Sequence, residues 1–312
     1  MNFKQVIETE KQFAKTGANG LFILSEPQII PLAKESNLAL RLTKCTRVKE
    51  KNPYFFKEQF DKKQIVLHYT TGHVKGDILA LTGEDDDPKR RYVSVPYVIA
   101  RSGTIYRLFS SEFWAYHIGA NPVGPNKELS RTRIAIELSN YGSLTLATDK
   151  KSLLTYYNTP TRKDIYCNLE DKKEYIKLKK PFREYTYYTA FTDAQYDSLI
   201  VLLRYLTTAW GIKRAFLSET LRFETTEKAL DFDGIVSHVN YRKDKYDIGT
   251  AFNWKKVMDG VLAEKYESKQ HKNLVKKGIE LRVRPLTERD LDDPSWYDDN
   301  PILSDSIPEP IV

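Results

Sequence analysis

His68, His238 and Asp247 are the residues of this sequence whose types could together hold a metal ion. The stretch "GIVSHVNYRKDKYDIGTAFNW", residues 234–254, sets His238 nine residues before Asp247, between two apolar anchors. A solvated loop has no need of that histidine, and a core strand does not tolerate Lys243, Asp244, Lys245 and Asp247. His68 ends "KKQIVLHYTTG", a run of apolar and β-branched residues that reads as a buried strand closed by a threonine-glycine turn. Taken alone, His68 reads more readily as a core histidine with satisfied nitrogens than as a ligand. Joined to His238 and Asp247 it completes two histidines and one carboxylate, a ligand set for catalytic zinc with a fourth position open for water. The irregular spacing makes this a weaker signal than two histidines one helical turn apart.

Hydrolysis at such a centre needs a base and a group that stabilises an oxyanion. Glu137, inside "RIAIELSN", is the candidate base, because a carboxylate on a buried strand is costly unless it has a task. Alternation alone also permits an edge strand with Glu137 facing water. Lys245, two residues before Asp247, could reach an oxyanion, or be one of two solvated lysines in its loop. His73 follows a glycine and reads as a loop residue. His271, in "ESKQHKNL", reads as a surface residue of a polar helical stretch.

The elements that must position these residues follow from periodicity. "YVSVPYVIARSGTIYRL" reads as a hairpin turning at Ser102-Gly103, and "RTRIAIELSNYG" as a further strand. "GDILALTGEDDDPKRR" reads as helix running into loop. "FTDAQYDSLIVLLRYLTTAWGI" is the clearest helix, with Thr192 as N-cap, Gln195 completing a capping box, and Leu199, Leu202, Leu203 and Leu206 on the apolar face. Residues 143–190, rich in tyrosine and lysine, read as a long excursion with short strands. Interspersed helices and strands predict an α/β (α+β) fold, a central mixed sheet flanked by helices, with N- and C-terminal extensions. The expected division is residues 1–50, an extension of unclear role that includes a strand at "NGLFILS"; 51–260, the domain bearing the site; and 261–312, a helix and an acidic, proline-containing tail.

The whole chain of 312 residues carries a net charge of +7. Residues 287–312 hold eight acids and one base, so the first 286 carry +14. A basic body suits an anionic partner, or is simply a lysine-rich solvated surface. No arginine-rich recognition helix or aromatic RNA-binding motif stands out, so nucleic acid is not an expected partner. No run approaches the roughly 20 apolar residues of a membrane span. The N-terminus alternates charged and apolar residues, so no signal peptide is expected. Cys45 and Cys167 are expected to be free thiols.

"IVLHYTTG", "YVSVPYVIARSGTIYRL", "WAYHIG", "RIAIELSN", "FTDAQYDSLIVLL" and "HVNYRKDKYDIGTAFNW" occur in this order over about residues 55–256. Together they resemble the zinc-dependent N-acetylmuramoyl-L-alanine amidases of type 2, a family that includes the peptidoglycan recognition proteins. The resemblance implies Zn2+ held by His68, His238 and Asp247, Glu137 as catalytic base, and Lys245 supporting the tetrahedral intermediate. It implies a substrate groove lined by Trp114, His117, Tyr69 and Asn140. The implied substrate is peptidoglycan or a muropeptide, cut between N-acetylmuramic acid and L-alanine, by a monomer. A non-catalytic peptidoglycan- or muropeptide-binding module of the same fold is the alternative. The implied location is the cytoplasm, or outside after export by a non-classical route, as in phage lysis or effector secretion. Three positions depart from the family pattern: Pro96 replaces a histidine, Val95 stands where one branch has a catalytic tyrosine, and Ile248 replaces the proline after the aspartate ligand. None of them is a ligand position.

Overall fold

The computed structural model describes residues 1–32, 35–49, 53–83 and 91–270. In chain order the elements are α1 (Phe3–Gly20), β1 (Phe22–Leu24), β2 (Gln28–Leu32), β3 (Glu35–Arg47), β4 (Gln64–Tyr69), α2 (Val74–Leu81), β5 (Tyr97–Ile99), β6 (Ile105–Arg107) and α3 (Asn126–Arg131). There follow β7 (Arg133–Leu138), β8 (Ser143–Leu146), β9 (Ser152–Leu154), β10 (Ile165–Asn168), β11 (Tyr175–Phe182), β12 (Tyr185–Thr189), α4 (Asp193–Trp210), α5 (Glu219–Arg222), β13 (Gly234–Ser237) and α6 (Trp254–Leu262).

The apolar runs around His68 and Glu137 become neighbouring strands. The central sheet has the order β1-β3-β6-β5-β7-β4-β13, with β2 paired to β3. It is mixed: β13 runs parallel to β4, and β7 parallel to both β4 and β5, whereas β5 and β6 form the antiparallel hairpin expected at Ser102-Gly103. Gly103 takes φ +85°, the left-handed conformation such a turn needs. Strand alternation then separates two faces. Ile65, Leu67, Ile134, Ile136, Tyr97 and Ile99 face α4 and α6. Val98, Ala135 and Tyr106 face Phe13 of α1 and Val74 and Ile78 of α2.

α4 begins as its sequence predicts. The Thr192 side chain accepts from Gln195 N, the Gln195 side chain accepts from Thr192 N, and the helix ends at Gly211 with φ +67°. Leu199, Ile200, Leu202, Leu203 and Leu206 have no exposed surface. Each is worth roughly 1.5–3 kcal/mol of burial.

The described strands among residues 1–50 extend the central sheet, since β3 pairs in parallel with β6 and carries β1 and β2 on its other side. The excursion 143–190 forms a second, antiparallel sheet of order β10-β9-β8-β12-β11. α6 ends at Leu262, and the described residues beyond it, 263–270, are irregular: Tyr266, Ser268 and Gln270 all donate to the Asp197 carboxylate at 2.7–3.0 Å. His271 and the acidic tail lie outside the described residues. Cys45 and Cys167 are free and buried.

Candidate metal centre

Sheet register lines up the site before any loop is considered. In the parallel ladder β5-β7-β4, Val98, Glu137 and His68 are direct neighbours. β13 aligns Ser237 with Leu67, so the next residue, His238, comes level with His68. Glu137, His68 and His238 therefore stand in one row, on the face away from α4. The loop after β13 returns Asp247 to this row, tied by Val239 N donating to Asp247 O at 2.9 Å and Ser237 Oγ to Ile248 O at 3.4 Å.

Three donor atoms converge there. His68 Nδ1 lies 3.0 Å from His238 Nδ1 and 3.2 Å from Asp247 Oδ2, and His238 Nδ1 lies 2.9 Å from the same oxygen. A tetrahedral zinc with bonds of about 2.0–2.1 Å separates its ligand atoms by about 3.3 Å, close to this triangle. His68, His238 and Asp247 are all buried, and they form the one such cluster found among the described residues.

The far nitrogens of both rings are held. His238 Nε2 is 2.7 Å from the Ile118 carbonyl, to which it can only donate, and this leaves Nδ1 as the free lone pair. His68 Nε2 is 3.2 Å from His117 Nδ1. Burial, and then the neighbouring His238, lower the pKa of His68 to about 4, so this ring is neutral at physiological pH. Burial disfavours the Asp247 anion, but His238 and His68 outweigh it and hold the carboxyl well below its usual range. A neutral imidazole and an ionised carboxylate are the protonation states that a metal requires. The donor set fits zinc.

Glu137 supplies a carboxyl beside the cluster. Its Oε2 is buried with no hydrogen-bond partner. Desolvation chiefly, then the charges of Asp247 and Asp77, push its pKa well above the ordinary value, with Lys245 opposing. Lys245 is half-buried, and its charge also acts on His68. A cavity of about 440 Å³ opens at Glu137, lined among others by Thr70, His73, Asp77, Tyr141 and Arg162.

The groove candidates are distributed differently. His117 stands behind His68, and burial with the charges of His68 and His238 keeps it neutral. Trp114 is 2 % exposed, stacked on Phe56 at 4.1 Å, with its indole N–H donating to Glu58. Tyr69 lies in the core facing α4. Asn140, 1 % exposed, accepts from Gly142 N at 2.7 Å and donates to the Thr189 and Ala190 carbonyls, bracing the entry to the second sheet. His73 caps α2, accepting from Gly76 N.

Sequence reasoning missed two parts. The Ile118 carbonyl carries no side-chain signal. Asp77, 6 % exposed, did carry one, an acid within the apolar "GDILAL".

A search among curated proteins finds no match. Solved structures to which this chain shows a likeness include a selenomethionine derivative of AmpD (16% identity, 67% of this chain and 91% of that chain covered, TM-score 0.36). Another is the amidase AmiD from E. coli, in complex with anhydro-N-acetylmuramic acid-L-Ala-D-gamma-Glu-L-Lys (18%, 65% and 59%, TM-score 0.39). A third is the amidase LysC from Clostridium intestinale (16%, 64% and 83%, TM-score 0.34). The family model for N-acetylmuramoyl-L-alanine amidase, Amidase_2, matches residues 59–250, more than half the chain and every member of the metal cluster. The chain belongs to the N-acetylmuramoyl-L-alanine amidase family.

Proposed function

We propose that this protein is a zinc-dependent amidase that hydrolyses the amide between the lactyl group of N-acetylmuramic acid and the L-alanine of a stem peptide, in peptidoglycan or a muropeptide. The observation that carries the reading is the near-equilateral triangle of His68 Nδ1, His238 Nδ1 and Asp247 Oδ2 beside the unpartnered Glu137 Oε2. His68, His238 and Asp247 would hold the ion. Zinc in such a set supplies Lewis-acid polarisation of a carbonyl and brings the pKa of water to about 7.

The chain's own groups do the remaining work. Glu137 takes a proton from the attacking water on Oε2 and returns it to the departing alanine nitrogen. Its raised pKa, set by burial and by Asp247 and Asp77, brings it nearer the neutral range in which both transfers run at useful rates. Lys245 offsets the charge that develops on the former carbonyl oxygen. The Ile118 carbonyl and His117 keep both imidazoles oriented with Nδ1 toward the metal position.

No helix among the described residues is long and apolar enough to cross a membrane. The test is digestion of purified peptidoglycan and of a soluble muropeptide, with and without a chelator, followed by mass spectrometry. Free stem peptides with a new L-alanine amine, lost on chelation and restored by zinc, are expected. A protein that holds stoichiometric zinc yet leaves both substrates intact would overturn the reading and favour a binding module.

A further inference from the structure

The second sheet is more than an insertion beside the site, because one end of it grips the loop that delivers Asp247 and Lys245. β11 and β12 meet in a two-residue turn, Arg183-Glu184. Both residues take positive φ, 45° and 76°, and neither is glycine. Such backbone persists only where its surroundings hold it. Here Tyr188 OH donates to Phe182 O at 2.6 Å and fixes the turn from within. The Arg183 guanidinium crosses to the metal loop and donates to the carbonyls of Arg242, at 3.3 Å, and Lys243. At the other end of the loop, Phe182 lies so close to Gly249 that a Cβ there would come within 2.3 Å of its ring. Between these points, the Tyr185 and Tyr246 rings meet edge to face with centroids 5.4 Å apart. The turn thus touches the loop before, between and after Lys245 and Asp247.

We propose that the β11–β12 turn is the clamp that sets the metal loop, and that Arg183 is a positioning residue for Asp247 and Lys245. The proposal rests on the zinc reading above. The Arg242 carbonyl also accepts from Lys245 N at 3.4 Å within the loop's own turn; the guanidinium ties this carbonyl and that of Lys243 to the second sheet, and this fixes the course of the four residues that follow to Asp247.

The test measures zinc affinity, by competition with a chromophoric chelator, and hydrogen exchange of amides 241–250 in the zinc-free protein. Arg183→Ala is expected to weaken zinc binding about 10-fold, the lower end for loss of a supporting contact, and to speed exchange of the loop. Arg183→Lys, which keeps one donor, should fall between. If Arg183 acts through Asp247, adding Arg183→Ala to Asp247→Asn costs little further affinity, whereas general destabilisation makes the losses add. Additive losses, or wild-type affinity with unchanged loop exchange in Arg183→Ala, would overturn the clamp. Should Arg183→Ala not fold, Tyr188→Phe loosens the same turn and is read the same way. Zinc affinity unaffected by Asp247→Asn would overturn the metal reading itself, an outcome separate from failure of the clamp alone.

Discussion

Replacing Asp77 by asparagine should change how stability varies with pH, and by a calculable amount. The Asp77 carboxyl is 6 % exposed on α2, and Ser139 Oγ donates to it at 2.5 Å. Burial raises its pKa from 3.8 to about 7; hydrogen bonds from Ser139 and Thr70 oppose this and the Glu10 charge adds to it. The folded chain therefore binds a proton that the unfolded chain releases between about pH 4 and pH 7. Stability from this group is greatest below pH 4, falls as pH rises to 7, and is flat above. The full span corresponds to about 4 kcal/mol, an upper limit because local relaxation and water entry reduce it. Asp77→Asn keeps an oxygen for Ser139 and removes the titration. Urea unfolding from pH 4.5 to pH 8 should show the wild type losing several kcal/mol relative to the variant. Because the Asp77 charge also raises the Glu137 pKa, the acid limb of kcat/KM should move to lower pH in the variant. Parallel stability curves for the two proteins would refute the reasoning.

Glu137→Gln should retain zinc and lose on the order of 10²–10⁴ in kcat; wild-type turnover with bound zinc would show that another group is the base. His238→Ala should lose stoichiometric zinc in a dialysed sample assayed by metal analysis, with activity falling in proportion. Arg204, fully buried, pairs with Glu35 at 2.7 Å and donates to the carbonyls of Gly260, Val261 and Ala263 at the end of α6. Arg204→Ala leaves the Glu35 charge to Arg214 alone, 3.1 Å away, and strands those carbonyls; it should cost about 3 kcal/mol in denaturant unfolding, the lower end for a broken buried pair.

The candidate cluster of His68, His238 and Asp247 was legible because its residues break local rules. His68 sits near the end of an apolar strand, and Asp247 lies in a loop that also carries Arg242, Lys243, Asp244 and Lys245, of which Lys243 and Asp244 are exposed. α4 was legible from its capping box and leucine spacing. What was not legible depends on partners distant in sequence. β3 was not singled out in the sequence, and its register with β6, some 60 residues on, puts it inside the sheet. His117 was assigned to the groove from its motif, and only the fold brings its Nδ1 behind His68. The grip of Arg183 on the metal loop uses backbone carbonyls, which no residue type announces.

Among the described residues β13 has one strand neighbour, β4, and reaches it across 170 residues of chain between His68 and His238. During synthesis the first ligand leaves the ribosome early, while its partners wait until the rest of the domain has been made. Parallel pairing over such a distance forms late, after the nearer strands have ordered. A partly made chain therefore lacks the assembled His68, His238 and Asp247 cluster, which on the reading proposed above would arise in one step when the last strand docks. On the zinc reading proposed above, an ion bound at that moment would join β4 to β13, the last strand of the sheet, and act as a cross-link that closes the domain on itself.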